Sequence, residues 1–151
     1  MFMFTEPLAG WRSVRVSERR TKSDWANQIR ELLEVHYPEA KRIRLVMDNL
    51  NTHTISSLYE AFTPDVALSL AKRLEIYYTP KHGSWLNIAE IELSALTIQC
   101  LHRRIASMEQ LQRETSAWEV ARGEFAAAAL SLSDERREVY LLFEPGRALF
   151  E

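Results

Sequence analysis

One cysteine, Cys100, stands in 151 residues, which excludes an internal disulfide and any zinc site built from several thiolates. It falls on an apolar helical stripe, where a free thiol acts as a small buried hydrophobe rather than a nucleophile. No apolar run reaches the length that spans a bilayer, and no leader peptide opens the chain, so a soluble cytoplasmic protein is expected. Internal repeats and low-complexity linkers are also missing; the alanine run at 126–129 is too short to count. Neither sign of charge dominates, since 19 Lys and Arg face 21 Asp and Glu, for a net charge of −2. Nucleic-acid binding therefore has to come from local patches rather than from a global field.

What is present suits one compact unit, because 46% of the residues are hydrophobic and a chain of this length can bury a single sizeable core. Residues 1–4 and 11–18 read as a hairpin around Glu6-Pro7-Leu8-Ala9-Gly10. Thr21-Lys22-Ser23-Asp24 has the form of a capping box, and Trp25, Ile29, Leu32 and Leu33 follow at helical spacing until Pro38 stops the pattern. The apolar run 43–47 predicts a strand buried on both faces, central in its sheet. Short helices are expected at 56–62 and from Thr63-Pro64 to about 74, then a strand at 76–79 and helices at 87–101 and 107–122.

Two stretches carry chemistry. In Arg44-Leu45-Val46-Met47-Asp48-Asn49-Leu50-Asn51-Thr52-His53 an apolar strand ends in a carboxylate and a polar loop. In Tyr77-Tyr78-Thr79-Pro80-Lys81-His82-Gly83-Ser84-Trp85-Leu86-Asn87-Ile88-Ala89-Glu90-Ile91-Glu92 a strand leads through a Pro/Gly loop to an acid on the next helix. Without further context each acid has a plainer explanation: Asp48 as an Asx turn closing the strand, and Glu90 as the partner of Asn87 in a capping box. Helical spacing puts Glu90 on the apolar stripe of Leu86, Leu93, Thr97 and Leu101. Glu92 falls between that stripe and a second one of Ile88, Ile91, Ala95 and Ile98, so it is expected at a solvated edge, farther from Asp48 and more exposed than Glu90.

Together the two stretches resemble the catalytic core of the DDE transposases, in particular the bacterial insertion-sequence group related to mariner elements, over residues 1–122. The resemblance implies a ribonuclease-H-like α/β fold, a mixed sheet with helices on both faces. It implies metal-dependent cleavage and transfer of DNA strands, with Asp48 as the second Asp, Glu90 as the Glu of the triad and 41 residues between them. Both would be catalytic metal ligands for Mg²⁺ or Mn²⁺, since hard cations take oxygen ligands. The family's first Asp lies on a strand ahead of the segment similar to residues 2–11, so the core is expected to be amino-terminally truncated and impaired in catalysis. The helix-turn-helix region that recognises terminal repeats is likewise not expected from this chain.

Candidate DNA contacts are Asn49 and His53 after the first acid, Lys81 and His82 in the loop before Glu90, and the basic run Arg12, Arg15, Arg19 and Arg20. His53 can orient a phosphate or a nearby carboxylate, although a hydrogen-bonding loop histidine is the commoner reading of such a residue. From residue 123 the chain departs from the family and turns acidic, six carboxylates against three arginines, so residues 123–151 are read as a divergent tail, such as a shifted reading frame produces. Loss of the first strand is expected to bare a central strand edge and favour self-association or pairing with another transposase chain. That expectation makes a non-catalytic interaction module the alternative to an enzyme. Val139-Tyr140-Leu141-Leu142-Phe143 can cover part of the edge as a strand, although Ser133 caps a helix well and the helical reading is favoured there.

Overall fold

The computed structural model describes residues 1–19, 21–80, 89–126 and 137–143. The hairpin forms as expected: β1 (Phe2–Glu6) pairs antiparallel with β2 (Trp11–Arg15), Glu6 opposite Trp11. A 3-10 turn at Pro7–Ala9 joins them and ends on Gly10 at φ 62°, a left-handed conformation that glycine adopts without a Cβ clash.

Helix α1 (Lys22–Glu31) opens on the capping box read from the sequence. Thr21 Oγ1 accepts from the Asp24 amide at 3.1 Å and Asp24 Oδ2 accepts from the Thr21 amide at 2.7 Å. A π-helical turn, Leu32–His36, extends it and closes with the Tyr37 amide donating to Leu32 O. Strand β3 (Ile43–Met47) follows, then α2 (Ile55–Ala61), α3 (Pro64–Lys72), β4 (Leu74–Tyr78), α4 (Ala89–Gln99) and α5 (Met108–Ala126). Ser107 Oγ accepts from the Gln110 amide at 3.2 Å and so caps α5. The last described strand is β5 (Arg137–Phe143).

The five strands lie in the order β2-β1-β5-β3-β4. β3 is parallel to both β4 and β5, whereas β5 is antiparallel to β1. Helices cover both faces. Ile43, Leu45 and Met47 of β3 join Phe2, Phe4, Val139 and Leu141 under α1, α2 and α3. On the other face Met1, Met3, Val14 and Tyr140 pack with Ala89 and Leu96 of α4 and Leu111 and Trp118 of α5. This is a ribonuclease-H-like mixed α/β sheet, as the resemblance implied.

Three expectations need correction. β3 is central, but its burial alternates: Ile43, Leu45 and Met47 are fully buried while Arg44 and Val46 are partly exposed. Arg44 finds its place on the more open face through Glu138 at 3.1 Å and the Tyr77 ring at 5.3 Å. The tail over residues 137–143 is a strand rather than the favoured helix; Ser133 lies outside the described residues. Most consequentially, the expected bare edge does not exist, because β5 fills the place between β1 and β3 and bonds to both. Burying Val139 and Leu141, each worth about 1.5–3 kcal/mol, outweighs what local helix capping offers.

The outer edge on the β2 side is also managed. The Val14 amide points outward and donates to Glu119 Oε2 of α5 at 3.1 Å, so the helix blunts the strand edge. α5 runs past the expected boundary at 122 to Ala126, so the tail begins in the last turn of a helix, and its described segment 137–143 lies inside the sheet.

Candidate active site

Asp48 follows the last residue of β3 at the carboxyl end of two adjacent parallel strands. Three contacts fix this corner: the Thr79 amide donates to Met47 O at 2.9 Å, the Leu50 amide to Asp48 O at 3.0 Å, and the His53 amide to Leu50 O at 2.9 Å. The Tyr78 hydroxyl donates to His53 O at 3.1 Å, and Ser57 Oγ to Thr52 O at 2.9 Å. The loop is thus tied to β4 and to α2.

The Asp48 side chain keeps 27% exposure, and its Oδ1 lies 3.5 Å from His53 Nδ1. That oxygen is buried and accepts no hydrogen bond. His53 is fully buried, its ring stacked on Trp25 at 6.0 Å and tilted against Phe2 at 6.0 Å. It stands behind Asp48 and faces the core. Asn49 is exposed beside it.

Glu90 is partly buried in the first turn of α4, and α4 packs over β1 and β5. The helix is phased differently from the sequence reading. Ala89 and Leu96 are its buried residues, with Leu93, Ala95 and Cys100 packed beside them, whereas Ile91 and Ile98 are 65% and 73% exposed. Glu92 consequently turns inward. It is paired with Arg12 Nε at 3.0 Å and with Arg122 Nη2 at 3.5 Å, its side chain only 16% exposed. The expectation of a solvated Glu92 is therefore wrong: a carboxylate inside the stripe is tolerated because two guanidinium groups meet it.

The same pairs decide where the basic residues stand. Arg12 is 9% exposed and held by Glu92. Arg15 bonds Glu31 at 2.9 Å and lies 3.7 Å from Glu119, with His36 at 3.3 Å. Burial, then the Arg15 charge, lowers the His36 pKa. Arg19 is exposed. Arg20, Lys81 and His82 lie outside the described residues, as does Asn87.

Among the described residues no three His, Cys, Asp or Glu side chains cluster closely enough to hold a metal ion. The donor chemistry of Asp48 and Glu90 nevertheless fits a hard divalent cation, and a buried carboxylate oxygen that accepts no hydrogen bond from the described residues is the kind of group such an ion satisfies. Beside β3, β5 places Tyr140 level with Val46 and Leu141 level with Met47. The acid of β5, Glu138, lies level with Arg44, and it is bonded to Arg44 and to the Tyr140 hydroxyl.

A family model described as DDE superfamily endonuclease matches residues 1–112. The chain belongs to that family. No curated protein and no solved structure matches. A DDE endonuclease acts on DNA, and enzymes of the superfamily generally employ divalent metal ions. Among the described residues no helix is long and apolar enough to cross a membrane.

Sequence reasoning missed a second buried acid. Glu6 is 4% exposed, and its Oε2 accepts from the Tyr37 hydroxyl at 2.6 Å and from Arg137 Nη1 at 3.3 Å. Read alone it is a turn residue. Its partners lie 31 and 131 positions away, so no local signal marks it.

Proposed function

We propose that this chain is the core of a transposase-type DDE endonuclease of insertion-sequence origin, related to mariner elements, in which Asp48 and Glu90 are the oxygen ligands for Mg²⁺ or Mn²⁺. The observation that carries this reading is Asp48 itself: a carboxylate at the carboxyl end of a central parallel strand, one oxygen buried without a hydrogen bond, backed by an immobilised histidine. A divalent ion held there would polarise the scissile phosphate and activate water or a 3′ hydroxyl. The chain's own residues supply position. β3 and the tied loop hold Asp48, His53 restrains its carboxylate, and exposed Asn49 offers an amide to a phosphate oxygen. Arg19, with Arg20, Lys81 and His82, is proposed for backbone phosphates. Arg12 and Arg15 are left out because their charges are engaged within the fold.

Catalysis by this chain alone is proposed to be impaired. Glu138 is committed to Arg44 and Tyr140, so β5 offers no third ligand beside Asp48, and two acids hold an ion loosely with poor control of in-line geometry. Titration with Mn²⁺ and Mg²⁺ should give weak saturable binding, reduced at least tenfold in Asp48→Asn and in Glu90→Gln. Unchanged binding in either variant sinks that ligand assignment. Incubation with supercoiled plasmid should yield no nicking above background; robust Mg²⁺-dependent nicking abolished by Asp48→Asn overturns the impairment and requires a third ligand.

A further inference from the structure

A cleft of about 410 Å³ opens at the end of the sheet opposite Asp48, within the roughly 300–1,000 Å³ typical of small-molecule sites. β1 runs antiparallel to β5, which is parallel to β3, so the carboxyl end of β1 lies at the amino end of β3. Trp11, His36 and Tyr37 form one wall, with the His36 and Tyr37 rings 5.0 and 5.1 Å from Trp11. Glu6 and Arg137 line it as well. The Glu6 side chain is 6% exposed, and both of its hydrogen bonds fall on Oε2.

The wall is built in advance. The π-helical turn delivers His36 and Tyr37, and the loop after it is clamped by Arg73, whose guanidinium donates to the carbonyls of Tyr37, Pro38 and Ala40. Single-turn π-helices are frequent at functional sites. A rigid wall spares a ligand the cost of ordering it.

The chemistry of the lining selects the ligand. An organic cation would meet Arg137, and an anion would meet Glu6 and the neighbouring Glu39. A neutral, flat ligand with donors and an acceptor on one edge suits both charges and the rings. We propose that this cleft binds a guanine-type base, its ring N–H and amino group donating to Glu6, its carbonyl accepting from Arg137, and its face against Trp11. Burial holds His36 neutral near pH 7, so it adds ring surface rather than charge. This site is separate from the Asp48 corner and does not rest on the endonuclease reading.

The test is calorimetric and NMR titration of the full chain with guanosine, adenosine and cytidine. Guanosine should bind with Kd on the order of 100 µM, and the other two at least tenfold more weakly. Glu6→Gln, which exchanges one acceptor for a donor, should reduce guanosine affinity at least tenfold. Because Glu6 also holds Tyr37 and Arg137, Ala9→Phe provides an independent check: it fills the mouth from the 3-10 turn, and should abolish binding with an unchanged melting temperature. Guanosine 5′-monophosphate and a single-stranded oligonucleotide with one terminal guanine separate the sources. Tighter binding of the oligonucleotide assigns the base to a nucleic-acid strand, and equal binding assigns it to a free nucleoside. No saturable guanosine binding, equal affinity for all three nucleosides, or binding that survives Ala9→Phe overturns the proposal.

Discussion

The two faces of the sheet are held by different physics. Beneath α1, α2 and α3 lies an almost purely apolar layer in which Trp25, Ile29, Leu33, Leu45 and Leu58 are fully buried. Beneath α4 and α5 apolar contacts are shared with ion pairs, Arg12, Glu92 and Arg122 in a row, with Glu119 on the β2 edge. Apolar burial is non-directional and tolerates small shifts, whereas buried charges fix which atoms must meet. The first face supplies stability and the second supplies register, since α4 cannot rotate without stranding Glu92.

The largest effect should come from the strand both faces share. Leu141→Asp places a carboxylate in the apolar layer without a partner, and such a group costs more than a marginal domain can sustain. Cooperative thermal unfolding followed by circular dichroism should vanish. A retained sharp transition would show that β5 is not integral to the sheet.

Next, Leu45→Ala should lose about 2–5 kcal/mol in denaturant unfolding, the cost of a cavity in a tightly packed layer. The ion-paired face should respond less and more selectively. Glu92→Ala leaves Arg12 largely buried without its carboxylate and should cost roughly 2–3 kcal/mol, short of the 3–5 of a fully buried pair because both partners keep some exposure. Joint replacement Arg12→Met with Glu92→Leu should recover most of it. If Glu92→Ala proves as mild as a surface substitution, within about 0.5 kcal/mol, the idea that charge sets register on this face is wrong.

The smallest effect concerns pH. Burial and Arg15 lower the folded-state pKa of His36 below its ordinary 6.5, so the unfolded chain takes up this proton first. The stability contributed by the neutral ring is complete above pH 6.5 and is lost as pH falls from 6.5 toward the folded-state value. His36→Gln should flatten that part of the stability profile, and an identical slope in the variant would remove His36 as its source.

The contrast also explains what could be read from the residues in order. Thr21 with Asp24, then Trp25 and Ile29, announce α1 because capping and one apolar stripe agree. The place of Asp48 at the end of β3 was legible because an apolar run ends there. α4 was not, since apolar residues occur nearly all round it; Ile91 and Ile98 make as plausible a stripe as Ala89 and Leu96, and only Arg12 and Arg122, distant in sequence, choose between them. β5 was misjudged for a related reason. Ser133 argues locally for a helix, whereas two strand edges more than 90 residues upstream argue for a strand, and pairing on both sides prevails over propensity.

The placement of β5 has a consequence for how the protein comes into being. Every other described strand precedes it in the chain, yet it lies third of five across the sheet. During vectorial synthesis the β1–β2 hairpin and the β3–β4 pair emerge well before the strand that unites them, each with one side unsatisfied. Closing the sheet then requires contacts of very long sequence separation, which slows folding and prolongs exposure of the nascent chain. A substitution in β5 should therefore slow refolding as well as lower equilibrium stability, because the two halves of the sheet wait on this strand to join them.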